Sequence, residues 1–137
     1  MEGQGAPKGV ARIGVSAGEL LDRISILELK VERFQSAEKR ERARCELDEL
    51  RGVRQRTIDM DARVHVLYDD LKEVNGTLWV IEDSLRMCEH NGTFDESFIV
   101  LARSVYRLND RRAAIKGQIN AHVESAMTEE KSYYAYR

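Results

Sequence analysis

The sequence predicts an all-α protein, an elongated antiparallel bundle of three to four helices with at least one helix of about 30 residues. The first observation is a seam of apolar residues, spaced alternately three and four apart: Val64, Leu67, Leu71, Val74, Leu78, Ile81, Leu85 and Cys88. This spacing keeps one face of a helix apolar for about seven turns. The second observation is that Pro7 is the only proline, so nothing after it forbids helix. The third is the lack of the β-branched runs that are typical of strands.

A first helix is predicted to begin after Ser16. Ser16 and Glu19 have the spacing of a capping box, and Val15 and Leu20 have that of a hydrophobic staple across it. The helix then carries its own apolar positions: Leu20, Ile24, Leu27, Val31 and Phe34.

The segment 36–58 is less clearly patterned. Its first part, 36–46, is densely charged, and is either an exposed continuation of the first helix or follows a break near Ser36. Apolar residues return afterwards, which favours helix on both sides. The stretch 52–57 is the predicted turn, with Thr57 or Asp59 as the cap of the long helix.

A last helix is predicted after Asn91-Gly92, a pair that commonly ends a helix in the left-handed conformation. Thr93 and Glu96 have the spacing of a second capping box. The helix would carry a seam with one polar interruption: Phe98, Leu101, Val105, Leu108, Arg112, Ile115 and Ile119.

At 137 residues the chain fits one domain. We expect a flexible N-terminal arm at 1–14, a helical-bundle domain at 15–128 and a Tyr-rich C-terminal tail at 129–137. A 30-residue helix is about 45 Å long, whereas a globule of this size has a radius of gyration of about 14 Å. Because apolar residues also lie off the seam, we expect oligomerisation, with a dimer favoured, to complete the bundle. The candidate interface residues are Trp79, Val80, Met87, Tyr133, Tyr134 and Tyr136.

Composition argues against several classes of function. The chain has 22 basic and 24 acidic residues, a balance that argues against a nucleic-acid binder. No apolar stretch approaches membrane-spanning length and the N-terminus is polar, so a cytoplasmic protein with no membrane association is expected. Cys45 and Cys88 do not suggest a disulfide framework, and the three histidines lack metal-ligand spacing. We therefore expect no metal and no cofactor.

Four arginines form the candidate anion site: Arg103, Arg107, Arg111 and Arg112. Guanidinium groups recurring every four residues can hold a carboxylate or a phosphate. Alternatively, Asp110 and acidic residues on a neighbouring helix neutralise them. Arg112 occupies a seam position, where a charge needs a partner, and Glu28 or Glu82 is the expected one. Such a buried charge more often sets helix register than performs catalysis.

Two aromatic features leave alternatives open. Trp79, with Glu82, Asp83 and Arg86 close by, is either part of an aromatic-and-carboxylate pocket or, more simply, a buried structural tryptophan. The tail tyrosines form an anchor on a partner, or a segment laid over the protein's own bundle, or a disordered end.

Several segments are similar in sequence to a known family: VSAGELLDRISILELK at 15–30, LWVIEDSLR at 78–86, LARSVYRLNDR at 101–111, KGQIN at 116–120 and EEKSY at 129–133. Together they resemble a family of small all-helical bacterial proteins known only as a domain of unknown function. The resemblance implies a self-standing helical protein and carries no activity.

The segment 20–30 is also weakly similar to the opening helix of the all-helical chorismate mutases. That resemblance implies an intertwined dimer whose sites are lined by arginine, lysine and glutamate or glutamine. Leu21 stands where the pattern places its first substrate-binding arginine.

The sequence therefore favours a helical-bundle protein that acts by assembly and binding, to a protein partner or a small anionic ligand, and not by catalysis. The alternative is a helical enzyme or ligand-sequestering protein with an arginine-lined pocket for a carboxylated or phosphorylated small molecule. The two differ in whether the arginines converge on a cavity.

Overall fold

The computed structural model describes the backbone of residues 7–135 and the side chains of residues 7–127. Within that part the chain forms four helices and no strand, which confirms the all-α prediction: α1 (Ala17–Arg33), α2 (Ala37–Thr57), α3 (Ala62–Asn91) and α4 (Glu96–Ala135). Helix α3 has the predicted 30 residues. Among the described helices, none combines the length and apolarity needed to span a bilayer.

Helix α1 begins as predicted. The Ser16 Oγ accepts a hydrogen bond from the backbone N–H of Glu19 at 3.1 Å. The Glu19 carboxylate does not complete the capping box; it accepts instead from Arg23 at 3.0 Å and from Lys116 of α4 at 2.7 Å. A local cap and a contact between helices therefore share one residue.

The chain breaks at Ser36, which caps α2 by accepting from the Lys39 N–H at 3.3 Å. Helix α2 then continues to Thr57, so the turn predicted at 52–57 is wrong. A glycine inside a helix costs only about 1 kcal/mol relative to alanine, and burial of Leu47 and Ile58 in the core offsets it. The predicted cap is also wrong, because Asp61 caps α3 by accepting from the Val64 N–H at 2.9 Å.

A tight turn joins α3 and α4. Gly92 adopts the left-handed conformation with φ of 65°, and the Thr93 N–H donates to the Cys88 carbonyl at 2.9 Å. Thr93 thus completes the end of α3. The capping box predicted at Thr93 is wrong for that reason: Asp95 caps α4, accepting from the Phe98 N–H at 3.2 Å.

The helices form two antiparallel hairpins, α1–α2 and α3–α4, and α1 packs against all three other helices. Helix α1 runs antiparallel to α4 and approaches it closely at Gly18, whose N–H donates to the Asn120 side chain at 2.7 Å. A β-carbon at Gly18 would lie 2.6 Å from the Lys116 carbonyl oxygen. The core is shared by all four helices: Leu20, Leu21, Ile24, Leu27, Ala43, Leu47, Ile58, Val64, Leu67, Tyr68, Leu71, Val74, Leu78, Ile115 and Ile119.

The fully buried core does not reach the end of the long hairpin. On α3 its last member is Leu78, and on α4 its first member is Ile115. Between them lies the distal hairpin (residues 79–108), whose seam residues are only half-buried: Ile81, Leu85, Cys88, Phe98, Leu101, Val105 and Leu108. In the described structure the distal hairpin therefore consists mainly of two helices packed on each other, whereas the rest of the bundle has a core shared by all four helices. That completion by a second chain is needed stays a prediction.

Candidate functional site

A polar cluster lies where α1, α3 and α4 meet. Asp22 is 1% exposed and Ser25 is fully buried, and Asn75 of α3 donates to both, at 2.9 Å and 2.8 Å. The Ser25 hydroxyl in turn donates to the Asp22 backbone carbonyl at 2.7 Å. Every buried polar side-chain atom in the described residues has a hydrogen-bond partner.

Arg112 of α4 also belongs to this cluster. Its guanidinium donates two hydrogen bonds to the Asp22 carboxylate, from Nε to Oδ1 at 3.0 Å and from Nη2 to Oδ2 at 2.7 Å. The expected need for an acidic partner is met, but the predicted partners, Glu28 and Glu82, are wrong. Asp22 lies ninety residues from Arg112 in sequence. Its neighbour Arg23 is also charged, so the local sequence did not indicate that Asp22 is buried. The available signal was its apolar flanks, Leu21 and Ile24, which are both fully buried.

The pKa of Asp22 follows from these contacts. Burial by itself favours the neutral carboxyl, but the hydrogen bonds from Arg112 and Asn75 stabilise the carboxylate, and the net result is a pKa lowered below its ordinary value. The hydrogen bond to Asp22 raises the pKa of Arg112. A carboxylate whose oxygens are already held by a guanidinium and an amide is poorly placed to exchange protons with a substrate. The cluster is chemically a static ion pair.

A second cluster surrounds Glu28, six residues after Asp22 along α1. Glu28 accepts from the Tyr68 hydroxyl and from Arg51 at 2.7 Å, and Lys72 lies 3.5 Å away. Burial opposes its ionisation, but these partners lower the pKa of Glu28. Burial first, and the Glu28 hydrogen bond second, raise the pKa of Tyr68. This cluster ties α1 to both α2 and α3, which is a structural role.

The four candidate arginines do not converge. Arg112 points into the bundle, whereas Arg103, Arg107 and Arg111 are exposed. Arg103 donates to its neighbour Tyr106 at 3.2 Å. The described structure contains no ion pair for Arg107 or Arg111. The expectation that these arginines bind an anion stays a prediction, and the geometry does not place them around a common cavity.

The candidate interface residues fall into two groups. Trp79 is half-buried, with its ring 5.7 Å from that of Phe34 and with the Arg33 guanidinium 5.8 Å from the ring centre, so part of it is covered by α1. Val80 and Met87 are more than half exposed. The side chains of Tyr133 and Tyr134, and all of Tyr136, lie outside the described residues; the backbone of α4 continues to Ala135.

One side of the α3–α4 hairpin carries no buried residue from Val66 to Met87 on α3 and from Val100 to Gln118 on α4. We call it the outer face: the residues that directly precede a seam residue, namely Val66, Asp70, Glu73, Thr77, Val80, Ser84 and Met87 on α3, and Val100, Ser104, Arg107, Arg111, Ala114 and Gln118 on α4. None of them is buried. Adjacent residues are about 100° apart around a helix, so residues preceding and following the seam lie on opposite flanks. When two antiparallel helices pack through their seams, the residues that precede the seam on one helix lie on the same side of the pair as those that precede it on the other.

Helix α1 occupies the other side. Most of its polar contacts to residues outside the seam go to residues that directly follow it, such as Asn75, Lys116 and Asn120. Near its C-terminal end, Leu29, Glu32 and Arg33 also line a shallow cavity together with Glu73, Thr77 and Val80 of α3. The outer face carries exposed apolar residues on both helices, with Val80 57% exposed, and Met87 and Val100 both 59% exposed. Exposed apolar side chains in such an array are typical of protein interfaces.

Comparison with known proteins gives a family and no activity. A family model described as "Family of unknown function (DUF6165)" matches residues 11–136. No curated protein and no solved structure matches the chain. The likeness to chorismate mutases therefore stays a prediction, and the likeness to a domain of unknown function is confirmed. With almost its whole length matched, the chain belongs to the DUF6165 family, a family of unknown function.

Proposed function

We propose that this protein acts by assembly: it forms a homodimer through the outer face of its α3–α4 hairpin, and this dimer, not a catalytic site, is its working unit. The observation that carries the proposal is the uncovered apolar array of Val80, Met87 and Val100 on a hairpin with only half-buried seam residues. A second copy would bury that array and deepen the core of the distal hairpin.

The charged clusters support binding over catalysis. Asp22 and Glu28, the two half-buried or buried carboxylates described above, are each held by a cation and a second donor. Neither has the free, poised character expected of a general acid or base. The arginines favoured for an enzyme pocket are spread over an exposed surface and around one internal ion pair.

The proposal is tested by native mass spectrometry and light scattering at micromolar concentration. The wild-type protein is expected at twice its 15.7 kDa chain mass. The double variant Val80→Glu/Val100→Glu places charges on the outer face and is expected to be monomeric with unchanged helix content by circular dichroism. A monomeric wild type overturns the proposal.

A matched control comes from the same hairpin. Ile99 and Tyr106 are about as exposed as Val100, at 53% and 52%, but they follow the seam and lie on the opposite side. The variant Ile99→Glu/Tyr106→Glu is expected to remain a dimer. If the control variant dissociated and Val80→Glu/Val100→Glu did not, the interface would lie on the side of the hairpin opposite the outer face, which would contradict the proposal. The same spectra would reveal a small anion retained on Arg103, Arg107 and Arg111, the observation that would favour a ligand-binding role.

A further inference from the structure

The outer face carries opposite charges on its two helices. Helix α3 contributes Asp70 and Glu73, and helix α4 contributes Arg107 and Arg111. None of these four side chains has an ion pair within the described structure. A surface that is acidic along one edge and basic along the other is complementary to a second copy of itself in a restricted set of orientations.

Resting on the proposed homodimer, we infer that two copies pack outer face to outer face about a two-fold axis parallel to the hairpin. Helix α3 of each copy then lies on α4 of the other, and the two hairpin tips point the same way. Glu73 of each copy pairs with Arg111 of the other. The two-fold axis repeats the contact, so each dimer contains two such pairs.

Charge disfavours the other two-fold arrangement of these faces when its axis lies at the level of the charged residues. With the axis perpendicular to the hairpin, α3 lies on α3 and α4 lies on α4. With the axis at the level of Glu73, the acidic pair would face its own copy, and so would the arginine pair. Like charges brought together at an interface are strongly unfavourable. The arrangement with α3 on α4 brings Glu73 to the level of Arg111 of the other copy on both sides of the two-fold axis.

The axial positions of the residues agree with this arrangement. The Asp61 carboxylate contacts His122 at 2.8 Å and so fixes the level of α3 against α4. Twelve residues on from Asp61 is Glu73, and twelve residues back from His122 is Asp110, the neighbour of Arg111. Nineteen residues on is Val80, and nineteen back is Arg103, the neighbour of Ser104. A two-fold axis parallel to the hairpin keeps these levels, so Glu73 faces the Arg111 position and Val80 faces Ser104.

The remaining outer-face residues permit close packing. Thr77, Ser84, Ser104 and Ala114 are small, and helices separated by small side chains approach to the 8–10 Å distance of a packed pair. The result is a four-helix bundle made of α3 and α4 from each copy, with α1 and α2 outside it. The apolar contacts of Val80, Met87 and Val100 form its added core.

Cysteine cross-linking tests this orientation directly. In a background with Cys45→Ser and Cys88→Ala, which removes both native thiols, the single variants Val80→Cys and Ser104→Cys are mixed, equilibrated and mildly oxidised. The mixed disulfide between positions 80 and 104 is expected to exceed either same-position disulfide by at least about fivefold, since opposed helix positions bring β-carbons within disulfide reach. A preference for 80–80 or 104–104 disulfides, or a dimer that yields none, overturns the orientation.

A charge exchange tests the ion pair. Glu73→Arg and Arg111→Glu are each expected to raise the dimer dissociation constant at least about tenfold, because each places like charges in contact. The double variant is expected to return to within about threefold of wild type. Glu89→Arg, a charge reversal on the opposite flank of α3, serves as the control and should leave the dissociation constant unchanged.

The two proposals fail separately in these measurements. A monomeric wild type overturns the homodimer and the orientation together. A wild-type dimer in which the double variant is no tighter than either single variant overturns the orientation alone, and leaves the outer face as the interface.

Discussion

Asp22 shows how one buried charge can define the docking of a helix. It is 1% exposed and binds the Arg112 guanidinium through both carboxylate oxygens. Such bidentate pairs are directional, since both hydrogen bonds form only in one relative orientation. With Gly18 packed against the Lys116 carbonyl one turn away, this pair sets the position of α1 along α4. The polar interruption of the α4 seam is therefore a contact between α4 and α1.

The variant Asp22→Asn is expected to lower the free energy of unfolding by about 3 kcal/mol, because it leaves the Arg112 guanidinium beside a buried neutral amide. Urea unfolding followed by circular dichroism measures this change. Glu38→Gln is the matched control: the Glu38–Arg42 pair is more than two-thirds exposed, so its loss should cost less than about 0.5 kcal/mol. Equal losses from the two variants would contradict the role given to Asp22.

The same pair makes stability depend on acid. The pKa of Asp22 is lowered in the folded protein, so the unfolded chain binds a proton at higher pH than the native one. The contribution is fully present above the ordinary carboxyl pKa, near 3.8, and is lost as pH falls towards the lowered native value. The difference in stability between wild type and Asp22→Asn should therefore shrink below about pH 4. A difference that stays constant through that range would contradict the assignment.

Helix boundaries can be predicted from local sequence where only one residue is a candidate for the cap. Ser16 and Gly92 end their helices as the sequence predicts, because each acts on backbone groups within a few residues. Thr93 and Asp95 were both eligible to start α4. The αL end of α3 uses the Thr93 N–H, which leaves Asp95 to cap the next helix.

Asp95→Ala is expected to destabilise the protein by about 1 kcal/mol, the usual cost of losing an N-cap carboxylate. Thr93→Ala should cost less than about 0.5 kcal/mol, because its contribution to the turn is made by the backbone. Thermal or urea unfolding of both variants measures the difference. A larger loss of stability from Thr93→Ala than from Asp95→Ala would contradict Asp95 as the N-cap and would favour the capping box predicted at Thr93.

The whole molecule pairs a four-helix core with a hairpin that extends beyond it. The α1–α2 hairpin closes the core as far as Leu78 and Ile115, and the distal hairpin continues with half-buried seam residues and an open outer face. This uneven burial is the physical basis for proposing a second copy.

Dimerisation through that face would couple stability to concentration. The melting temperature of wild type is expected to rise by several degrees over a hundredfold increase in protein concentration, since association favours the folded state by mass action. The variant Val80→Glu/Val100→Glu should melt at a temperature independent of concentration. Differential scanning calorimetry measures both. A concentration-independent melting temperature for wild type would contradict an obligate dimer.

The sequence by itself determined the helical class, the 30-residue α3 and the caps at Ser16 and Gly92, because periodicity and capping act over a few residues. It also indicated that Arg112 needs an acidic partner. Only the tertiary structure decided that the partner is Asp22, that the other arginines lie apart from it, and that residues preceding the seam form one open face. Those facts depend on which helices pack together, and contacts between residues ninety positions apart leave no local pattern in the chain.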